Sequence, residues 1–211
     1  MMKFLVAAAI AATAVAAPAS AVVAYDTPAA LNGNQSWGGT LGMDFRVNSA
    51  IRVTSLGAFD SLSNGITSDI FTAIFDASGA MVSPVVNFNG TTAAPGSSYA
   101  SLAVTPFILA AGTYQVGSWG YNGADQNFNN NGPGGPITFN SFNGKLTALG
   151  TRYANGPGGQ ATIPDAGLTR YGAGTFTAVT VPEPATWALL LSGFGMIGFA
   201  MRRRSTALLS A

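Results

Sequence analysis

The chain has 211 residues, 8% of them charged, with a formal net charge of +1, no histidine and no cysteine. These absences exclude Ser-His-Asp and Cys-His catalysis, redox dithiols, disulfides and the usual zinc sites. No run of basic residues is available to neutralise phosphates in the folded part, which argues against nucleic-acid binding.

Residues 1–21 have the three parts of a secretory signal peptide, which predicts an N-terminal signal helix. Lys3 is the positive start, Phe4 to Ala17 is the apolar stretch, and Ala19 and Ala21 form the small-residue cleavage pattern. Cleavage is expected after Ala21, with Ala24 as the second choice. Residues 22–180 then make one domain, large enough to bury a core. Arg46, Arg52, Lys145, Arg152 and Arg170 face seven aspartates there, a mildly acidic balance. The overall pI near 8.0 reflects the basic ends and not the folded body.

Within that body, short alternating runs are separated by Gly, Asn, Ser and Pro, and long helical periodicity is absent. Strands are expected at 42–47, 52–60, 70–76, 81–87, 99–105, 112–120, 137–142, 146–153 and 175–181. This pattern predicts an all-β antiparallel sandwich. In the run from Asp69, residues Phe71, Ala73 and Phe75 fall on one face, and Ile70, Thr72 and Ile74 on the other. Asp76-Ala77-Ser78-Gly79 has a turn former first and Gly last, so a hairpin is expected there. From Gly112, Tyr114, Val116 and Ser118 share a face, with Gln115 and Trp119 on the opposite one.

The stretch from Phe45 to about Tyr121 resembles a jelly-roll-like domain of unknown function found in secreted bacterial proteins. Ile51-Arg52-Val53-Thr54-Ser55-Leu56-Gly57, Phe75-Asp76-Ala77-Ser78-Gly79 and Leu109-Ala110-Ala111-Gly112-Thr113-Tyr114 carry the likeness. It implies a sandwich akin to carbohydrate-binding modules and assigns no ligand. Farther on, the pentapeptide Asn131-Gly132-Pro133-Gly134-Gly135 recurs as Asn155-Gly156-Pro157-Gly158-Gly159. Two copies suggest a pair of similar loops, since a solenoid needs at least three repeats.

Three sites deserve weighing. Trp119 and Tyr121, beside the Asn-rich 122–131 loop, are candidates for an aromatic sugar platform, as is Trp37; each has a bland alternative as core. Asp60, Asp69 and Asp76 bracket one hairpin and are the residue type that holds calcium. No run matches a calcium-loop pattern, however, and turn roles explain them, so no metal or cofactor is expected. Paired aspartates hydrolyse glycosides, but no pair is marked by the sequence, and the expectation is that the protein is not an enzyme.

The last thirty residues read differently. Val181-Pro182-Glu183-Pro184 is a stretch whose prolines enforce extended backbone. Residues 185–201 carry no charge, and Arg202, Arg203 and Arg204 follow. A bilayer core about 30 Å thick takes roughly 20 apolar helical residues, so a slightly short transmembrane helix is expected at 185–201. Trp187 suits the outer headgroup region, and the arginines set the cytoplasmic side, leaving 205–211 as a cytoplasmic tail.

Residues 181–204 resemble the PEP-CTERM sorting signal of Gram-negative bacteria in its PEPxxWA variant. Pro182, Glu183, Pro184, Trp187 and Ala188, the Gly-containing apolar stretch and the arginines stand in order. The resemblance implies recognition by an exosortase, a membrane-embedded cysteine transpeptidase, with cleavage near Pro-Glu-Pro. It also implies a bacterium that makes an extracellular polysaccharide matrix. The expectation is therefore an exported, non-enzymatic protein. It is held in the inner membrane with its body in the periplasm, then delivered to the cell surface or the exopolysaccharide. The alternative is a carbohydrate-binding module.

Overall fold

The described residues form fourteen strands in chain order: β1 (Val22–Val23), β2 (Tyr25–Asp26), β3 (Leu41–Val47), β4 (Ile51–Phe59), β5 (Phe71–Asp76), β6 (Val86–Asn87), β7 (Tyr99–Leu109), β8 (Gly112–Trp119), β9 (Phe128–Asn129), β10 (Thr138–Phe139), β11 (Leu146–Tyr153), β12 (Ile163–Asp165), β13 (Tyr171–Gly172) and β14 (Gly174–Thr180). The computed structural model describes residues 20–130, 135–181 and 191–198.

The strands make two principal antiparallel sheets. One has the order β12-β11-β3-β8-β5-β6, and the other β1-β14-β4-β7. Two-stranded ribbons, β10-β2 and β13-β9, complete the body. Consecutive strands β3, β4 and β5 alternate between the principal sheets, as do β7 and β8. The two inner faces share one hydrophobic core, in which Phe45 of β3 meets Phe176 of β14 at 4.8 Å between ring centroids. Met43, Leu56, Ile74 and Val116 are wholly or almost wholly buried in it. With no disulfide among its means, the body rests on this burial and on the ladders that join the strands.

The six-stranded sheet is buried on both faces along β5 and the second half of β8. Ile74 and Val116 enter the main core, while Ala73, Phe75 and Trp119 form a second cluster on the outer side. The alternation expected for residues 70–76 and 112–119 is thus present, and burial on both faces explains why Ala73, Ile74 and Phe75 of β5 are apolar in succession. The expected hairpin closes on Asp76, whose Oδ1 accepts from the Ser78 and Ala80 amides. Gly79 supplies φ +86°.

Two expected strands are shorter in the structure. The 81–87 run keeps only an isolated Phe75–Met81 bridge and Val86–Asn87. Pro84 has no amide hydrogen, and Ser83 Oγ takes the Ile74 N–H that a continuing strand would use. The 137–142 run ends at Phe139, because Phe142 and Asn143 adopt φ of 51° and 54° in a turn.

Of the expected signal segment, 1–21, residues 1–19 lie outside the described residues, as does most of the expected transmembrane helix. Residues 191–198 are helical, with Leu191, Phe194, Met196 and Ile197 exposed. Among the described residues, no helix is long and apolar enough to cross a membrane.

Candidate functional site: a sorting tail and an aromatic cleft

The folded body stops where the tail begins. Strand β14 ends at Thr180 and lies inside its sheet between β1 and β4. The tail therefore leaves from a strand paired with β4 up to Thr180 and with β1 at Thr177 and Ala178. Pro182, Glu183, Pro184, Trp187 and Ala188 lie outside the described residues, as do Arg202, Arg203, Arg204 and Ala19. Ala21 is exposed, one residue before β1.

The platform expected from Trp119 and Tyr121 is not formed. Residues two apart share a face only while the strand continues, and β8 ends at Trp119. Gly120 then takes φ +99° and redirects the chain. Trp119 stays on the outer face, stacked on Phe71 at 5.8 Å with an interplanar angle of 18°, and is only 8% exposed. Tyr121 goes inward instead. Its hydroxyl donates to Ala173 O at 2.7 Å and accepts from the Phe59 amide at 3.1 Å. Burial pushes the Tyr121 phenol well above its ordinary pKa. Neither ring offers a free face to a sugar.

Trp37 has a different setting. It is partly exposed, and its ring meets Tyr153 edge-on at 5.6 Å and 88°. Its Nε1 donates to Ala154 O at 3.1 Å, which fixes the ring. Gly39 makes that approach feasible, since a Cβ there would lie 2.0 Å from Ala154 O. Four segments converge around the ring. Gln35 bridges Asn127, and Asn127 Oδ1 accepts the Trp37 amide. Asn34 pairs with both the N–H and the carbonyl of Asn129. Strand β9, carrying Asn129, pairs with β13, and the Asn130 amide reaches Arg170 O.

The result is a cleft of about 370 Å³ lined by Gln35, Trp37, Asn129, Tyr153, Asp165 and Arg170, with Pro164 at its edge. Arg170 Nε lies 3.0 Å from Asp165 Oδ2, a half-buried ion pair. The Tyr171 hydroxyl donates to the same carboxylate oxygen. Desolvation first, and then Asp165, raise the Tyr171 pKa well above its ordinary value. Asn129 is 9% exposed, and its Oδ1 has no hydrogen-bond partner. Of this set the sequence singles out Trp37 and, through the Asn-rich 122–131 loop, Asn129. The others come from segments far apart in the chain, and no local spacing marks them.

The aspartates weighed for calcium are separate. Asp60 accepts the Gly65 and Ala93 amides. Asp69 accepts from the Asn87 and Asn89 side chains, which lower its pKa. Asp76 closes its turn, and its hydrogen bonds from Ser78 lower its pKa. Among the described residues, no three acidic side chains gather as metal ligands.

Comparison with known proteins now places the tail. Residues 180–204 match the PEP-CTERM protein-sorting motif. The chain therefore carries a PEP-CTERM sorting signal, and that signal implies export, a membrane-anchored intermediate and processing by an exosortase-type membrane enzyme. No curated protein and no solved structure matches the chain.

Proposed function

We propose that this protein is a non-enzymatic structural or adhesive component of the cell surface or exopolysaccharide matrix, delivered there by its tail. The observation that carries the reading is the sorting motif at 180–204, which starts at the last residue of β14. An exosortase-type transpeptidase would grip Pro182-Glu183-Pro184 as an extended peptide. The segment at 185–201 would serve as a transient inner-membrane anchor, and Arg202–Arg204 would hold its cytoplasmic end. A cut near Pro184 would remove the anchor and leave β14 whole. The body is read as a jelly-roll-like sandwich on the alternation of β3, β4 and β5 between its sheets.

A non-enzymatic role fits the residue inventory. Without histidine or cysteine, hydrolysis would fall to aspartates, tyrosines or lysine. The aspartates weighed above hold turns and loop amides, and Asp165 is tied to Arg170 and Tyr171. Mass spectrometry of the mature C-terminus from the native cells tests the sorting. A terminus near Pro184 supports it, whereas an intact Ala211 in the final protein makes the segment a permanent anchor. Fractionation of the exopolysaccharide tests the destination.

A further inference from the structure

We propose that the Trp37 cleft is a binding site for one or two units of a neutral saccharide. This goes beyond the sorting reading and rests on the folded body alone, so a chain that is never sorted binds equally.

Three observations define the ligand's chemistry. First, Trp37 and Tyr153 stand at a right angle and form two walls of the cleft. An aromatic face of this kind takes the C–H face of a pyranose ring, and a planar side chain held by few torsions loses little entropy on binding. The Nε1 bond to Ala154 O and the crowding at Gly39 hold the indole before any ligand arrives.

Second, Asn129 lines the cleft, and its Oδ1 is a buried acceptor without a donor. Native structures rarely leave such an atom unpaired, and a ligand hydroxyl is the donor that would complete it. The neighbouring amides are already committed: Asn34 to the Asn129 backbone, and Gln35 Oε1 to Asn127 Nδ2. The backbone around Asn129 is thus fixed while its side-chain oxygen stays unpartnered.

Third, the charges in the cleft cancel. Asp165 and Arg170 face each other at 3.0 Å, and Tyr171 adds a neutral donor to the carboxylate. A charged ligand would have to break this pair, whereas a neutral polyol only adds hydrogen bonds. The volume of about 370 Å³ sits at the small end of ordinary ligand clefts and matches one or two sugar units rather than a long chain.

The test uses the full chain, purified in detergent, with intrinsic tryptophan fluorescence and titration calorimetry. The probes are cellotetraose, maltotetraose, mannotetraose and chitotetraose, with trigalacturonate as the acidic comparison. At least one neutral probe should bind saturably below about 10 mM. Asn129→Ala should weaken that binding at least about tenfold while leaving circular dichroism unchanged, since its Oδ1 has no partner in the fold. Trp37→Leu should weaken it further. The proposal falls if no neutral probe binds, if both variants bind as the parent does, or if trigalacturonate binds more tightly than every neutral probe. C-terminal processing is read separately, so failure here leaves the sorting reading standing, and the reverse also holds.

Discussion

The side chain of Gln115 grips the backbone of Ala161 at two points: Nε2 donates to the carbonyl at 3.0 Å and Oε1 accepts from the amide at 2.8 Å. The same Nε2 donates to Asp44 Oδ1 at 2.7 Å, and Asp44 Oδ2 lies 2.6 Å from Arg152 Nε. Arg152 in turn donates to Thr162 O. One buried amide on the outer face of β8 thus fastens the segment before β12 over the sheet. A Cβ at Gly42 would lie 2.4 Å from the Gln115 amide carbon, so a larger residue there would displace the clamp.

Gln115→Leu should therefore destabilise the protein by about 3 kcal/mol. It keeps the volume but leaves buried partners unpaired, and each costs about 1–3 kcal/mol. The urea midpoint is the measurement, and an unchanged midpoint would show that the clamp carries no stability.

The position of β1 bears on the signal cut. Val22 and Val23 pair with Ala178 and Thr177 of β14, and the Ala24 amide donates to Phe176 O. Cleavage after Ala21 leaves β1 complete, whereas cleavage after Ala24 removes the whole strand and exposes the edge of β14. N-terminal sequencing of the exported protein should give Val22. A start at Tyr25 would mean that β1 is dispensable.

Much of the body was legible because its signals are local. Alternation at 70–76 and 112–119 separates Phe75 from Ile74 and Trp119 from Val116, and the structure turns Ile74 and Val116 into the main core and Phe75 and Trp119 to the outer face. The 146–153 strand has the limits the sequence suggests. What escaped was set by tertiary pairing. Strands β1, β2, β9, β12 and β13 are two or three residues long, too short for a period, and exist only through their partners. Trp37 and the Asn-rich loop are marked in the sequence, but their meeting with Tyr153 and Arg170 is not, because separate segments bring them together. Platform and core were both open for Tyr121, and Gly120 decides for the core by turning the chain after β8. The tail was legible in full as a motif, because a sorting signal is read as a linear peptide.

Gly120 offers a direct check on that turn. It takes φ +99°, and a Cβ there would lie 2.2 Å from Asp69 O, a backbone atom that cannot swing aside. Gly120→Ala should cost about 3 kcal/mol from left-handed strain and this clash. Trp119 emission should shift to the red as its stack on Phe71 loosens. Parent-like stability and emission would mean that another arrangement satisfies this corner.

Alkaline pH should unfold the body through its tyrosines. Burial raises the pKa of Tyr25, Tyr99, Tyr121 and Tyr171 above the ordinary phenol value. In the unfolded chain these phenols ionise near pH 10. Below that pH both states hold the protons and the stabilisation is fully present. As pH rises past 10, the unfolded state releases protons that the folded state retains, so stability falls with each further step. The acid side has the opposite sign, because Asp69 and Asp76 are held below their ordinary pKa by hydrogen bonds and favour the fold above about pH 4, losing that contribution as pH falls. Both aspartates are exposed, so the alkaline limb should be the steeper. Absorbance at 295 nm followed alongside circular dichroism distinguishes the outcomes. The four phenols should ionise in one step together with loss of the fold, whereas gradual ionisation of all six tyrosines with the fold intact would refute their burial.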